Sequence, residues 1–108
     1  MAQRILEITD GNFSDLVEGS DKLFLVDFWA RWCAPCRALG KTVEAIAHDL
    51  TERLVVGRLD VDSNPEVTAK YDVSSMPTLL LFKNGQPVDD LVGNWPRDEI
   101  ESLIERHL

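Results

Sequence analysis

The sequence has no hydrophobic run long enough to span a membrane and an excess of acidic over basic side chains. A membrane-spanning helix needs about 20 consecutive apolar residues, and the longest apolar runs here have the length of a strand. Eleven Lys and Arg residues against nineteen Asp and Glu residues give a net charge of −8. A field of that sign repels phosphate backbones and anionic lipids. We therefore expect neither nucleic acid nor a membrane as a partner.

The N-terminal residues also lack the apolar core of a secretory signal, because charges at Arg4, Glu7 and Asp10 interrupt them. This indicates a reducing compartment, and we expect a cytoplasmic location. The chain has 108 residues, of which 44% are hydrophobic, and it contains no recognisable linker or repeat. Its length is that of one domain, so we expect residues 1–108 to fold as a single unit.

Hydrophobic patterning predicts strands that alternate with helices. The predicted strands are 4–8, 23–29, 54–61, 78–82 and 88–92, and the predicted helices are 13–17, 33–50, 65–71 and 96–108. Asn64-Pro65 begins the third helix, and Asn84-Gly85 is a strong signal for a hairpin. The order βαβαβαββα predicts the α/β class: a three-layer α/β/α sandwich with four helices around a mixed five-stranded sheet, whose parallel core has an antiparallel edge.

Cys33 and Cys36 are the only cysteines, and three interpretations of this pair are open: half of a metal site, a structural disulfide or a redox-active dithiol. Tetrahedral zinc needs four ligands. His48 lies about 22 Å farther along the predicted helix, which disfavours an intramolecular site but leaves open a cluster shared by two chains. A structural disulfide over so few residues would stabilise the fold least.

The position of Cys33 favours redox chemistry. It lies at the N-terminus of a predicted helix, where unpaired backbone N–H groups and the helix dipole stabilise a thiolate. Cys36 follows almost one turn later, close enough to attack a mixed disulfide at Cys33. One thiol would then attack a substrate and the other would resolve the intermediate.

The residues around the pair resemble the thioredoxin family. Trp32-Cys33-Ala34-Pro35-Cys36-Arg37 follows Phe28-Trp29-Ala30, and Met76-Pro77-Thr78 and Phe82-Lys83-Asn84-Gly85 come later in the chain. These motifs occur in the order and at the spacing of that family, and the resemblance covers essentially the whole chain. It implies a thioredoxin-like fold and a thiol-disulfide oxidoreductase that reduces protein disulfides.

The resemblance also implies roles for individual residues. Cys33 is expected to be the exposed nucleophile and Cys36 the buried resolving thiol, and together they form the redox-active disulfide. Asp27 corresponds to a buried acid that exchanges the proton of the resolving thiol. Arg58 stands where the family usually has a lysine beside this acid, so a plain ion pair is the alternative role of Asp27. Pro77 is expected to follow a cis peptide bond.

A substrate-facing surface around the reactive sulfur is implied as well. For Val92 and Met76, the alternative to contact with the substrate is packing in the core. For Gly93, the alternative is that it only relaxes the end of a strand. The residues of this surface are Trp32, Ala34, Pro35, Ser75, Met76, Val92, Gly93 and Asn94.

The sequence departs from the family pattern at several positions. Ala34 replaces a glycine between the cysteines, where the residues tune the reduction potential, and Arg37 replaces a lysine. Lys41 replaces the proline that kinks this helix, so the helix is expected to be straighter or to bend at Gly40. Trp95 either extends the substrate-facing surface or only holds the last helix in place.

No bound cofactor and no metal are expected, and the sequence has no glycine-rich loop for a dinucleotide. The resemblance implies protein disulfides as substrates and electrons that come ultimately from NADPH or ferredoxin through a thioredoxin reductase. We expect a monomer. Two other functions remain open: a binding module or regulatory subunit that responds to redox state, and a more oxidising catalyst of disulfide exchange.

Overall fold

The computed structural model describes residues 5–108, and its elements follow the predicted order. The helical elements are a five-residue π-helical segment and three α-helices. No helix within 5–108 is long and apolar enough to cross a membrane. The strands are β1 (Leu6–Glu7), β2 (Leu23–Trp29), β3 (Leu54–Asp60), β4 (Thr78–Lys83) and β5 (Gln86–Val92), and the helical elements are the π-helical segment (Ser14–Glu18), α1 (Ala34–Asp49), α2 (Pro65–Lys70) and α3 (Arg97–Glu105).

The strands form one mixed sheet in the order β1-β3-β2-β4-β5, which agrees with the mixed five-stranded sheet that the sequence predicted. The central strand β2 runs parallel to β3 and antiparallel to β4. Its first six residues are buried, which agrees with its apolar sequence on both faces. Asp27 is the one charged residue in this strand, and it lies opposite Arg58 of β3. The fold therefore places a carboxyl group at the centre of the sheet.

Helices cover both faces of the sheet and give three layers. α1 and α3 pack on one face, whereas the π-helical segment and α2 cover the other. The buried helical side chains of the first face are Leu39, Val43, Ile46, Ala47, Ile100, Leu103 and Ile104. The opposite face is dominated by sheet aromatics, since Phe24, Phe28 and Phe82 are among the largest fully buried side chains.

Some predicted boundaries were wrong. β1 covers only Leu6–Glu7, and Arg4 lies outside the described residues. The first helical segment is a π-helix, because the Gly19 N–H donates to the Ser14 carbonyl five residues earlier. Pro96 caps α3 instead of opening it, and α3 ends before Leu108, which is 47% exposed.

The predicted hairpin between β4 and β5 is present. Its two turn residues, Asn84 and Gly85, have φ angles of 52° and 79°. Such left-handed conformations at both positions are the reason that Asn-Gly favours a tight two-residue hairpin. This turn sets β5 at the edge of the sheet and brings Val92, at the end of β5, opposite Thr78.

Candidate active site

The two cysteines lie at the N-terminus of α1 and are joined by a disulfide. Cys33 is the residue that caps the helix, and its backbone is extended, with φ −98° and ψ 103°. The Cys36 N–H donates to Cys33 Sγ at 3.2 Å. A thiolate at Cys33 would therefore meet a helix N–H and the positive end of the helix dipole.

Both cysteines are buried in this oxidised form. Cys36 has no exposed surface and Cys33 is 4% exposed, so the expectation that Cys33 is exposed is wrong here. The reason is packing: the disulfide lies in a small apolar cluster with Ala30, against the partly buried Met76. Only an edge of Cys33 is open to solvent, whereas Cys36 has no open surface.

Asp27 is fully buried, and only one of its two carboxylate oxygens accepts a hydrogen bond. Its Oδ2 accepts a hydrogen bond from Arg58 Nε at 3.1 Å, whereas Oδ1 has no hydrogen-bond partner in the described part of the chain. Burial raises the pKa of Asp27 from 3.8 to about 6, and the charge and hydrogen bond of Arg58 oppose part of that rise. The carboxyl is therefore paired with Arg58, and its pKa lies closer to neutral pH than that of an ordinary aspartate.

Arg58 is held by three neighbours. Besides its bond to Asp27, its guanidinium carbon lies 4.7 Å from the centre of the Trp29 ring, a cation–π distance. A Cβ atom at Gly40 would lie 3.1 Å from Arg58 Nη2, so glycine at this position leaves room for the guanidinium. α1 is helical without interruption through Gly40 and Lys41. Gly40 thus serves the packing of Arg58.

Arg58→Gln should raise the pKa of Asp27 further above its value of about 6, because it removes the cation that opposes the effect of burial. Arg58→Lys keeps the charge and should leave this pKa much closer to the native value. The carboxyl carbon signal of Asp27, followed by NMR over pH 4 to 9, would measure both. Lys70→Gln, which removes an exposed cation paired with Glu18, is the control. An unchanged titration in Arg58→Gln would contradict the role given to Arg58.

The loop before β4 lies against the cysteines. The Met76–Pro77 bond is cis, as the resemblance implies, and Met76 packs against the cysteine cluster. The Gly93 N–H donates to the Pro77 carbonyl at 2.8 Å. Gly93 has φ +106°, a conformation that glycine adopts far more readily than other residues. The end of β5 is therefore tied to the cis-proline loop beside the disulfide.

The other residues of the expected substrate-facing surface lie at the protein surface. Val92 is 50% exposed, which argues against a core-packing role, whereas Met76 is partly buried. Trp32 is 70% exposed, and its indole N–H donates to Asp62 Oδ2 at 3.0 Å, a contact that the sequence did not reveal. Ala34, Pro35, Ser75 and Asn94 are exposed.

Trp95 extends this surface. Its indole N–H donates to the Val92 carbonyl at 2.8 Å, and the ring remains 41% exposed. Trp95 Nε1 would lie 3.8 Å from a Cβ atom at Gly93, so the indole is the nearest side chain beside this glycine. The residue therefore folds back along the end of β5.

Within residues 5–108, no group of three or more His, Cys, Asp and Glu side chains is arranged to hold a metal ion. The N-terminus of α1 carries the disulfide, and the sheet carries a buried carboxyl group on β2 paired with an arginine on β3 whose guanidinium lies beside Gly40 of α1. The disulfide can take up two electrons and the carboxyl group can take up or release a proton.

Comparison with known proteins agrees with this geometry. The family model described as Thioredoxin matches residues 4–106. Proteins named Thioredoxin from Staphylococcus saprophyticus and Staphylococcus aureus are each 43% identical to this chain over 104 residues, which cover 96% of this chain and 98% of each relative. The chain therefore belongs to the thioredoxin family and, with its Cys33–Cys36 pair, is a thiol-disulfide oxidoreductase of the protein-disulfide reductase type.

Proposed function

We propose that Cys33 attacks disulfides of other proteins and that Cys36 resolves the resulting intermediate. The observation that carries this order is the difference in position and exposure between the two cysteines at the start of α1. Cys33 caps the helix and keeps an exposed edge, whereas Cys36 lies within the first turn and is fully buried. An incoming disulfide can therefore reach Cys33 first.

The exchange proceeds in two steps that together move two electrons. The Cys33 thiolate attacks one sulfur of the substrate disulfide, the other substrate sulfur leaves as a thiolate, and a mixed disulfide forms. Cys36 then loses its proton and attacks Cys33 Sγ, which breaks the mixed disulfide and releases the second substrate thiolate. The protein ends with the Cys33–Cys36 disulfide and the substrate with two thiols.

Asp27 is the group we assign to accept the proton of Cys36, directly or through water. A general base works best when its pKa lies near the working pH, and burial has brought the pKa of Asp27 to about 6. Arg58 acts through Asp27 as a positioning residue, since its guanidinium fixes one carboxylate oxygen. The second oxygen is free for the proton.

The substrate segment is proposed to lie across the cis-proline loop. Met76 contacts the disulfide cluster, and Gly93 is tied to Pro77, so a polypeptide over these residues would pass beside Cys33. The absence of a side chain at Gly93 allows close approach of a substrate backbone. The exposed apolar contacts proposed for the substrate are Trp32, Ala34, Pro35, Val92 and Trp95, with Ser75 and Asn94 as polar neighbours.

Electrons are proposed to come from NADPH or ferredoxin through a thioredoxin reductase, because the chain has no glycine-rich loop of its own for a dinucleotide. We place the protein in the cytoplasm, since free dithiols persist in reducing compartments. We also propose that it acts as a monomer. Turnover with a purified thioredoxin reductase would support this donor.

Cys36→Ser tests the order of attack. This variant should accumulate a covalent complex with a disulfide-containing protein, because the second step is removed while Cys33 can still attack. The complex is detected as a mass increase under non-reducing conditions that dithiothreitol reverses. Cys33→Ser is the matched control and should form no such complex. Trapping by Cys33→Ser alone would reverse the roles assigned to the two cysteines.

A further inference from the structure

A groove leads from the substrate-facing surface along the outer part of the sheet. Its first part, of about 120 Å³, lies between loop 71–75 and the end of β5 at Asp90 and Val92. Its second part, of about 400 Å³, lies between Tyr71, Leu80 and residues 87–90 of β5. The two parts share Tyr71, Leu80 and Asp90 and are therefore adjacent, and we call them together the β5 groove.

The β5 groove is continuous with the surface expected to face the substrate. Val92 and Ser75, both on that surface, line its near end. Asp90 and Val92 are two residues apart on β5 and point to the same face, and Val88, at the irregularity in the pairing of β5 with β4, lines the far part of the groove. The distance from Val92 to Val88 is about 13 Å, enough for about four extended residues.

The groove combines apolar walls with free acidic groups. Leu80, Val88 and Val92 supply the apolar surface, and the exposed Asp72 and Asp90 supply the charge. Neither of these two carboxylates takes part in an ion pair within residues 5–108. Asp89 differs, because its carboxylate binds Arg106 and His107. Of these three aspartates, the two without an ion pair, Asp72 and Asp90, are therefore the ones that supply the negative charge of the groove.

Main-chain pairing along the outer edge of β5 is already blocked at two positions. The Asp90 N–H donates to Asp89 Oδ1 at 3.0 Å, and the Val92 carbonyl accepts the Trp95 indole N–H at 2.8 Å. A partner strand would need such groups to extend the sheet. These two bonds would have to break before a sixth strand could pair with this part of β5.

We propose that the β5 groove binds the substrate segment that flanks the reacting disulfide, and that Asp72 and Asp90 select segments carrying Lys or Arg about three to five residues from the reacting cysteine. This inference rests on the proposed function, because it extends the same docking surface. It assigns to the two aspartates the role of specificity determinants outside the chemistry of the cysteines.

The test uses the reduced full chain in single-turnover mixing with peptide disulfides that differ only at the flanking positions. One peptide set carries Lys at these positions, on either side of the cysteine, and the matched set carries Gln. At low ionic strength, the faster-reacting of the Lys peptides should be reduced about tenfold faster than the Gln peptide that matches it. This expectation combines a gain of about threefold from each of the two exposed carboxylates. Added salt should weaken this preference.

Asp72→Asn/Asp90→Asn should reduce the preference to less than about twofold. Asn tolerates the positive φ of 55° at position 72, so the loop is expected to keep its conformation. Glu44→Gln/Glu105→Gln removes the same net charge from exposed helix positions and should retain the preference. An equal loss in both double variants, or no loss in the groove variant, would overturn the proposal.

The outcomes also separate this proposal from the proposed function. If the groove variant reduces the Gln peptide at the native rate but retains the native preference for Lys, the groove proposal fails and the reductase function stands. If the native reduced chain reduces no peptide disulfide, the proposed function fails and the groove proposal fails with it.

Discussion

Cys33→Ser should lower the rate of protein-disulfide reduction by at least about a thousandfold. The attacking species is a thiolate, and a serine hydroxyl does not ionise to a comparable nucleophile near neutral pH. The fold should survive, because Ser is a favourable N-cap residue and its oxygen can accept the Cys36 N–H that Cys33 Sγ accepts now. The measurement is the appearance of substrate thiols after mixing with a one-disulfide protein.

Ala38→Ser provides a control on the same helix, since Ala38 is exposed. It introduces the same hydroxyl group away from the disulfide and should retain the native rate. A Cys33→Ser protein that still reduces disulfides at more than a few per cent of the native rate would contradict the assignment of Cys33 as the nucleophile.

Asp27→Asn should stabilise the protein by about 3 kcal/mol above pH 6. The folded state raises the pKa of Asp27 from 3.8 to about 6, so between these values the native state binds more protons than the unfolded state. The free energy of unfolding therefore falls as the pH rises through this window. Above the window, the native protein carries the full free-energy cost of ionising the buried carboxyl group. Asparagine cannot ionise, so the variant lacks this cost, and the two proteins should converge below about pH 4.

Urea unfolding of both proteins at pH 4 and pH 7.5 would measure this difference. Asp15→Asn, at an exposed position in the π-helical segment, should change the free energy of unfolding by less than about 0.5 kcal/mol at either pH. A stability difference between Asp27→Asn and the native protein that is the same at both pH values would contradict the account. The variant also lacks the proposed proton acceptor, so stability and reduction rate should change in opposite directions.

The main elements of the fold follow from local sequence patterns. β2 has its predicted bounds because six of its seven residues are apolar, a run of strand length that is typical of a strand buried on both faces of a sheet. Asn84-Gly85 predicted the hairpin because its turn requires positive φ at both positions. The start of α1 at the cysteine pair followed from apolar residues at helical spacing, from Leu39 onward.

Other features depend on residues far apart in the sequence and gave no local signal. Asn64-Pro65 marks the start of α2, but the cap comes from Asp10, whose carboxylate accepts the N–H groups of Glu66 and Val67. The side chain of Asn64 instead accepts the Asp10 N–H. The π-helical segment is a local feature, but hydrophobic spacing does not distinguish its i to i+5 bonding, seen between the Gly19 N–H and the Ser14 carbonyl, from that of an α-helix.

In the candidate site, too, some features could be predicted from the sequence and others depend on packing in the folded chain. The roles proposed for Cys33 and Cys36 rest on their position at the start of a helix and on the family resemblance, and Asp27 stood out as the single acid in a buried strand. The resemblance placed Arg58 beside Asp27, but the contacts of Arg58 with Trp29 and Gly40 depend on the sheet register and the packing of α1, which the sequence alone does not specify. The burial of Cys33 also depends on packing, since it results from contacts in the folded loop.

The reduction potential of the Cys33–Cys36 couple tests the central claim most directly. The protein would be equilibrated with defined dithiol/disulfide buffers and its free thiols counted. A chain that delivers electrons to protein disulfides should have a potential near that of reducing thioredoxins, about −270 mV. A potential near that of protein disulfide isomerases, about −180 mV, or the absence of a reversible couple, would contradict the claim that this protein is a reductase.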